Sequence, residues 1–453
     1  MALFFFTWGF VSAEYEKFPW SAIDPVQKQI AAVLEGGEAR NKALKRLKHE
    51  VGFRPEKMIG KFEKNKKRNY RTVDIKGLRK RRKSEPLLFS GQNDAVPEGY
   101  FIIWGAFDFE DDLYGAILMD HKGNVINKWI PDREALREMK CGKNRVVQDT
   151  EVEIDYEKPD DLPQGFEVFP DGSVLFNDGD PGNGMQKLDF DSNPVWVRPG
   201  KFNHCIADQK GGRGVWTIES DHILRRVNTE SGESMEKIRI MEIMHSNPDT
   251  DVLSLRYDDL DKKWLNDRWH FNDADPLPEE YEDEFSEFEA GDLLLSSRSL
   301  NAVMVVEPES KKIKWLKTGS FSRQHDPDWQ KNGTITVYDN QTRDVFGGKK
   351  PGDSPRFSRI LQIDPDSGET RVVYDGQKDR FYSRIRGKHQ ILPDGSILIT
   401  SSEQGRVMAV NQEGETIFEF INSYGNGEVL FVSEAVWVPR DFFDFDPEKS
   451  KES

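Results

Sequence analysis

Four of the eight histidines open an apolar, strand-like segment: His204 in FNHCIADQ, His270 in WHFNDADPLP, His325 in RQHDPDWQ and His389 in GKHQILPDG. A neutral imidazole can act as a nucleophile, exchange protons near neutral pH or bind a metal ion. Taken singly, such a histidine is ordinarily a structural residue bonded to backbone, but four in equivalent places point to a shared site. Arg298 ends the segment GDLLLSSR that follows the one opened by His270, and Arg384 and Arg386 stand just before His389. A guanidinium offers a planar fork of donors that matches the oxygens of a sulfate or phosphate group. The constellation therefore suits transfer or capture of a tetrahedral anion.

A hairpin unit recurs six times along the chain and supplies the elements that must position these residues. It consists of an apolar strand, a polar turn and a second apolar strand, seen at 117–129, 187–197, 225–238, 304–316, 361–373 and 408–420. A second strand–turn–strand element precedes most of these units, as in FEVFPDGSVLF and HQILPDGSILIT. Four strands per repeat is the composition of a propeller blade, so the expected fold is all-β, a six-bladed β-propeller. The stretch before the first hairpin supplies only FIIWGAF, which predicts that the terminal SEAVWVP (433–439) completes the first blade and closes the ring. Closure removes strand edges that would otherwise invite aggregation. The first strand of each blade lies nearest the axis, bringing the four histidines toward one channel. The blade before His204 carries Phe166 where a histidine is expected.

The chain has 453 residues and a formal net charge of −16, which disfavours general affinity for nucleic acid. Mean hydropathy of −0.71 argues against a polytopic membrane protein. Charge is uneven: residues 40–83 are basic and 255–292 acidic, both readable as solvated surface, with the basic run alternatively an arm for anionic headgroups and the acidic run a loose cation site. Cys141 and Cys205 fit no metal or redox motif and are open to pairing or to separate burial. Residues 1–20 form an apolar N-terminal segment. Its apolar run at 2–13 is shorter than the roughly 20 residues needed to cross a bilayer, and with the following YEKFPW it reads as the end of a membrane anchor, with a buried apolar strand as the alternative. Residues 21–95 read as a helical and basic extension, with two helices over 22–52 and a linker over 53–95. Residues 96–443 are assigned to the propeller and 444–453 to a polar tail.

The run WHFNDADPLP, GDLLLSSRSLNAVMVVEP, KIKWLKTG and QHDPDWQKNGTITVYDN resembles the arylsulfate sulfotransferases, whose pattern is a His-x-Asn strand, an SSR strand, a Trp-containing strand and a QH strand followed by a GT…DN strand. The strong resemblance covers about 268–340, with blade-like similarity from 100 to 440. It implies transfer of a sulfuryl group from an aryl sulfate to a phenolic acceptor without phosphoadenosine phosphosulfate and without a cofactor. It further implies His325 as nucleophile through a sulfohistidine, His270 and Arg298 as sulfate-holding residues, and His204 as the histidine of the preceding blade. Asn272, Arg386 and His389 are added as substrate-binding candidates, the last from topology alone, with His204 or His389 as the proton carrier. Trp269, Phe271 and Trp329 are candidates either for aryl walls or for core. The small β-sandwich domain of some relatives is not evident, so assembly does not carry over; a periplasmic or extracytoplasmic location is expected. Two other readings stand beside this one. The first is a non-catalytic propeller that binds an anionic ligand or a protein partner. The second is a metal-dependent hydrolase or lyase, against which stand Arg298 and the lack of carboxylates evidently placed with the histidines.

Overall fold

Six antiparallel four-stranded units are strung along the chain, and each of the six hairpins supplies the two outer strands of one unit. The computed structural model describes residues 59–61, 70–78, 87–91, 96–110, 113–131, 145–146, 164–177, 184–208, 214–220, 222–254, 269–342, 357–425 and 427–450. The apolar N-terminal segment, the two helices expected over 22–52 and Cys141 lie outside these residues. The fold is a six-bladed β-propeller.

In blade one the C-terminal strand Val432–Pro439 forms the inner strand and pairs antiparallel with Gly99–Ala106, from Val432 opposite Gly105 to Pro439 opposite Gly99. The ring is thus closed by the last strand of the chain, as SEAVWVP predicts. Blade two runs Phe166–Val168, Val174–Asn177, Met185–Leu188 and Pro194–Arg198, and blade three runs Phe202–Asp208, Gly214–Glu219, Ile223–Asn228 and Ser234–Arg239. Blade four uses Phe271–Pro276, Leu293–Ser297, Ala302–Val306 and Ile313–Thr318. Blade five uses His325–Gln330, Thr334–Asp339, Arg359–Ile363 and Thr370–Asp375, and blade six uses Lys388–Ile391, Ile397–Ser401, Arg406–Val410 and Thr416–Ile421.

Short polar side chains make the hairpin turns. In blade one Asp120 Oδ1 accepts the Asn124 amide at 2.7 Å, and Gly123 takes the left-handed φ of +79° that lets its N–H reach the Asp120 carbonyl. Between blades, large aromatics fill the wedge that widens away from the axis. Trp104 of blade one packs on Phe166 and Phe176 of blade two, with centroids 5.5 and 5.0 Å apart. Phe101 stacks on Phe418 of blade six at 4.2 Å. Phe166 is therefore a core residue, which explains why blade two lacks a histidine at that place.

The stretch read as a linker holds three strands. Leu87–Gly91 pairs with the outer strand of blade six, Arg71–Val73 pairs with Leu87–Gly91, and Ile59–Lys61 joins a small sheet with Ser423–Gly425 and Glu428–Leu430. LLFSG lacks the alternation of an amphipathic strand, and its pairing is set by the exposed edge it covers. Part of the acidic run is structured as well, as the short 3-10 helix Glu279–Glu284 on the surface.

Candidate active site on the inner strands

Three inner strands break their pairing near the histidine. The register shifts between Asn203 and Ile206 in blade three, between Phe271 and Asp273 in blade four, and between His325 and Pro327 in blade five. Left-handed backbone falls at the same places, with φ of +60° at His204, +45° at His270 and +54° at Asp326. Non-glycine residues hold such conformations at a cost of about 1–3 kcal/mol each, and bulges of this kind turn side chains out of the regular alternation.

The bulges bring His204, His270 and His325 into one electrostatic group with Arg298 and Arg386. The rings of His204 and His270 meet edge to face, with centroids 4.8 Å apart and planes at 67°. Burial holds His204 well below the ordinary imidazole range, and the nearby His270, His325, Arg386 and Arg298 push the same way. Burial, followed by the Arg298 guanidinium, lowers His325 to about 3. Both rings are neutral at pH 7, so His204 is available as a base rather than as a ready acid.

His325 is gripped at both nitrogens. Nδ1 lies 2.8 Å from Asn340 Oδ1 and 3.0 Å from the Arg323 carbonyl, and the Arg386 amide donates to Nε2 at 3.1 Å. Arg386 takes φ +58°, and its Nη1 donates to Ser433 Oγ at 3.1 Å. Arg298 is placed by its own backbone: its amide donates to the His270 carbonyl at 3.0 Å, while Ser297 Oγ donates to the Trp269 carbonyl at 2.5 Å. The SSR strand is thereby fixed to the His-x-Asn strand. Asn272 is buried and sends Nδ2 to the Gln324 carbonyl at 2.8 Å, so it braces the QH strand. Gln324 buries its own amide in blade four, against Ser296 Oγ, the Ser297 carbonyl and the Ala302 carbonyl.

His389 does not join this group, which corrects its assignment as a channel residue. Its strand pairs regularly, with His389 opposite Ile399, and its side chain is fully buried. Nδ1 meets Asp326 Oδ2 at 2.8 Å and Nε2 meets Thr336 Oγ1 at 2.7 Å, leaving no ring atom for a substrate. The view that no carboxylate accompanies the histidines is also corrected. Asp326, Asp328 and His389 have ligand-type atoms within 4.8 Å of one another, a set that could hold a metal ion. Two features oppose that use. Lys388 Nζ already stands 2.7 Å from Asp326 Oδ1, and burial with the charges of Asp326 and Asp275 pushes the Asp328 carboxyl well above its usual range.

The aromatic candidates belong to the core. Trp269 sends Nε1 to the Leu253 carbonyl at 3.1 Å, Phe271 is 1 % exposed, and Trp329 packs edge-on against Phe285 at 4.9 Å. Cys205 is buried with a free thiol. Asn340, Gln324 and Lys388 received no role from sequence reasoning, although they stand in the quoted segments VYDN, RQH and GKH.

A family model described as arylsulfotransferase (ASST) matches residues 190–423. No curated protein matches the sequence. Among solved structures the chain is similar to a protein of unknown function from Bacteroides caccae, at 10 % identity over 75 % of this chain and 99 % of that one with a TM-score of 0.45. It is also similar to virginiamycin B lyase from Staphylococcus aureus, at 12 % identity over 56 % and 69 % with a TM-score of 0.35. The Pan2 WD40 domain from Neurospora crassa is similar at 9 % identity over 79 % and 84 %, with a TM-score of 0.36. The functional reading therefore rests on the family match and on the geometry.

Proposed function

The chain belongs to the arylsulfotransferase family, and from that premise we propose that it moves a sulfuryl group from an aryl sulfate to a phenol through a sulfohistidine at His325 Nε2, independently of phosphoadenosine phosphosulfate. The observation that carries this reading is the state of His325. Burial keeps it neutral, its Nδ1 faces the oxygens of Asn340 and the Arg323 carbonyl while Nε2 accepts the Arg386 amide, and it lies within the field of Arg298. Nε2 attacks sulfur, the bond from sulfur to the aryl oxygen breaks, and its electron pair leaves with the phenolate. Arg298 and His270 hold the sulfuryl oxygens as charge builds on the leaving oxygen. In the second half, neutral His204 takes the proton of the acceptor phenol as its oxygen displaces Nε2 from sulfur.

Sulfur cannot reach Nε2 while the Arg386 amide lies on the lone pair. Substrate entry must therefore displace that hydrogen bond, worth about 1 kcal/mol net. The same contact favours one other reading, a non-catalytic propeller in which Arg298, Arg386 and His270 bind a sulfated or phosphorylated ligand.

The deciding experiment incubates purified protein with 4-nitrophenyl sulfate, with and without phenol, and follows nitrophenol release and the mass of the intact chain. The transferase reading expects phenol-dependent release and a sulfuryl adduct on the peptide containing His325. Absence of both across several aryl sulfates overturns it in favour of the anion-binding propeller.

A further inference from the structure

Asn340 directly follows the second strand of blade five and is completely buried. Its amide is committed on both sides. Nδ2 donates to the Ser383 carbonyl at 2.9 Å and to the Arg386 carbonyl at 2.6 Å, while Oδ1 faces His325 Nδ1 at 2.8 Å. Only an amide nitrogen can serve two carbonyls, so the atom turned to the imidazole is the oxygen. An oxygen there requires a hydrogen on Nδ1. The Arg386 amide at Nε2 requires a lone pair on the opposite nitrogen, and the Arg323 carbonyl agrees with a hydrogen on Nδ1. Every partner of the ring selects the same tautomer.

We propose that Asn340 is a positioning residue for sulfuryl transfer: it holds His325 as the Nδ1–H tautomer, makes Nε2 the nucleophile, and accepts the positive charge that the ring gains on bonding to sulfur. This rests on the sulfotransferase reading. When the Nε2 lone pair forms the bond to sulfur and the aryl oxygen departs with its pair, the ring keeps its Nδ1 hydrogen and becomes cationic. The Asn340 oxygen then stabilises a charge that is absent before attack, so its benefit is greater in the transition state than at rest. The same amide ties the 383–386 backbone to the ring, so one side chain orients the nucleophile and the segment that covers it.

The charged and titratable groups facing His325 are Arg298 and His270 from blade four, His204 from blade three and Arg386 from the segment entering blade six. Arg298 and His270 oppose a proton on the ring. A carboxylate in place of the Asn340 amide would favour one.

The test combines nitrogen NMR of histidine-labelled protein with turnover of 4-nitrophenyl sulfate and phenol, using wild type, Asn340→Ala and Asn340→Asp, with His325→Gln to identify the resonances. Wild type is expected to show a protonated Nδ1 and a bare Nε2 at pH 7. Asn340→Ala, left with the Arg323 carbonyl at Nδ1 and with the 383–386 backbone released from its tie, should show mixed tautomers and a kcat about 10- to 100-fold lower. Asn340→Asp should keep the tautomer but move the ring titration, and with it the acid limb of kcat, to higher pH. An unchanged tautomer and kcat in Asn340→Ala overturns the proposal. Should that variant not fold, an unshifted titration in Asn340→Asp overturns it equally. A wild type with the stated tautomer but no turnover defeats the sulfotransferase reading and with it the catalytic role of Asn340, whereas a wrong tautomer in an active enzyme defeats this proposal alone.

Discussion

Lys388 Nζ lies 2.7 Å from Asp326 Oδ1, and the same ammonium is 3.2 Å from Asp273 Oδ2. One side chain thus joins the inner strands of blades four, five and six. Both carboxylates are nearly inaccessible, at 3 % and 5 % side-chain exposure, and neither can recover its lost hydration without a partner. Lys388→Met is expected to destabilise the fold by about 3–5 kcal/mol because it removes the counter-charge shared by two buried carboxylates. Urea unfolding measures this, and a loss below about 1 kcal/mol would place the contact in the class of weak surface pairs.

The buried histidine and the buried glutamates give stability opposite pH slopes. His325 titrates at about 3 in the fold against 6.5 for the free side chain. As pH falls from about 6.5 toward 3, the unfolded chain takes up this proton first and stability drops. Glu167 and Glu434 are pushed up to about 8, chiefly by burial, so their contribution is complete below about 4.5 and is lost as pH rises through 8. Glu434→Gln should flatten the decline between about 5 and 8, and His325→Gln the decline below 6.5. Urea midpoints across the pH range decide; unaltered slopes in both variants contradict the burial of these groups.

Gly387 has φ +106°, and a β-carbon there would come within 2.3 Å of the Tyr338 ring. Gly387→Ala must push the backbone off that ring, shifting the adjacent Arg386 amide away from His325. The expected loss is about 1–3 kcal/mol. A fold of wild-type stability would mean that the segment adapts freely and does not hold Nε2.

His325 and His389 have different tasks, and alanine separates them. His325→Ala should reduce sulfuryl transfer at least about 1,000-fold, the scale expected on losing a nucleophile, while the fold persists. His389→Ala removes one hydrogen bond from Asp326, which keeps Lys388 and the residue-389 amide, and one from Thr336, which keeps Gln330 Nε2, and should cost about 1 kcal/mol for each bond. Its kcat per folded molecule should stay at the wild-type value. Equal loss of transfer in both variants contradicts this division.

Six hairpins, their order and closure by SEAVWVP are legible in the sequence because strand alternation and Asp/Asn/Gly turns are local properties, and ring closure follows from counting strands. The His-x-Asn, SSR and QH motifs likewise point to His270, Arg298 and His325 from local sequence alone. Tertiary structure alone separates His389 from the other three. All four histidines open an inner strand, but the pairing in blades three, four and five shifts beside the histidine, whereas Lys388–Ile391 pairs without a shift. Side chains alternate between faces with a period of two, so one inserted residue changes what an imidazole meets. Whether a bulge forms depends on the neighbouring strand and blade, and for that reason the sequence names the histidines while the packing of the blades decides which of them share a site.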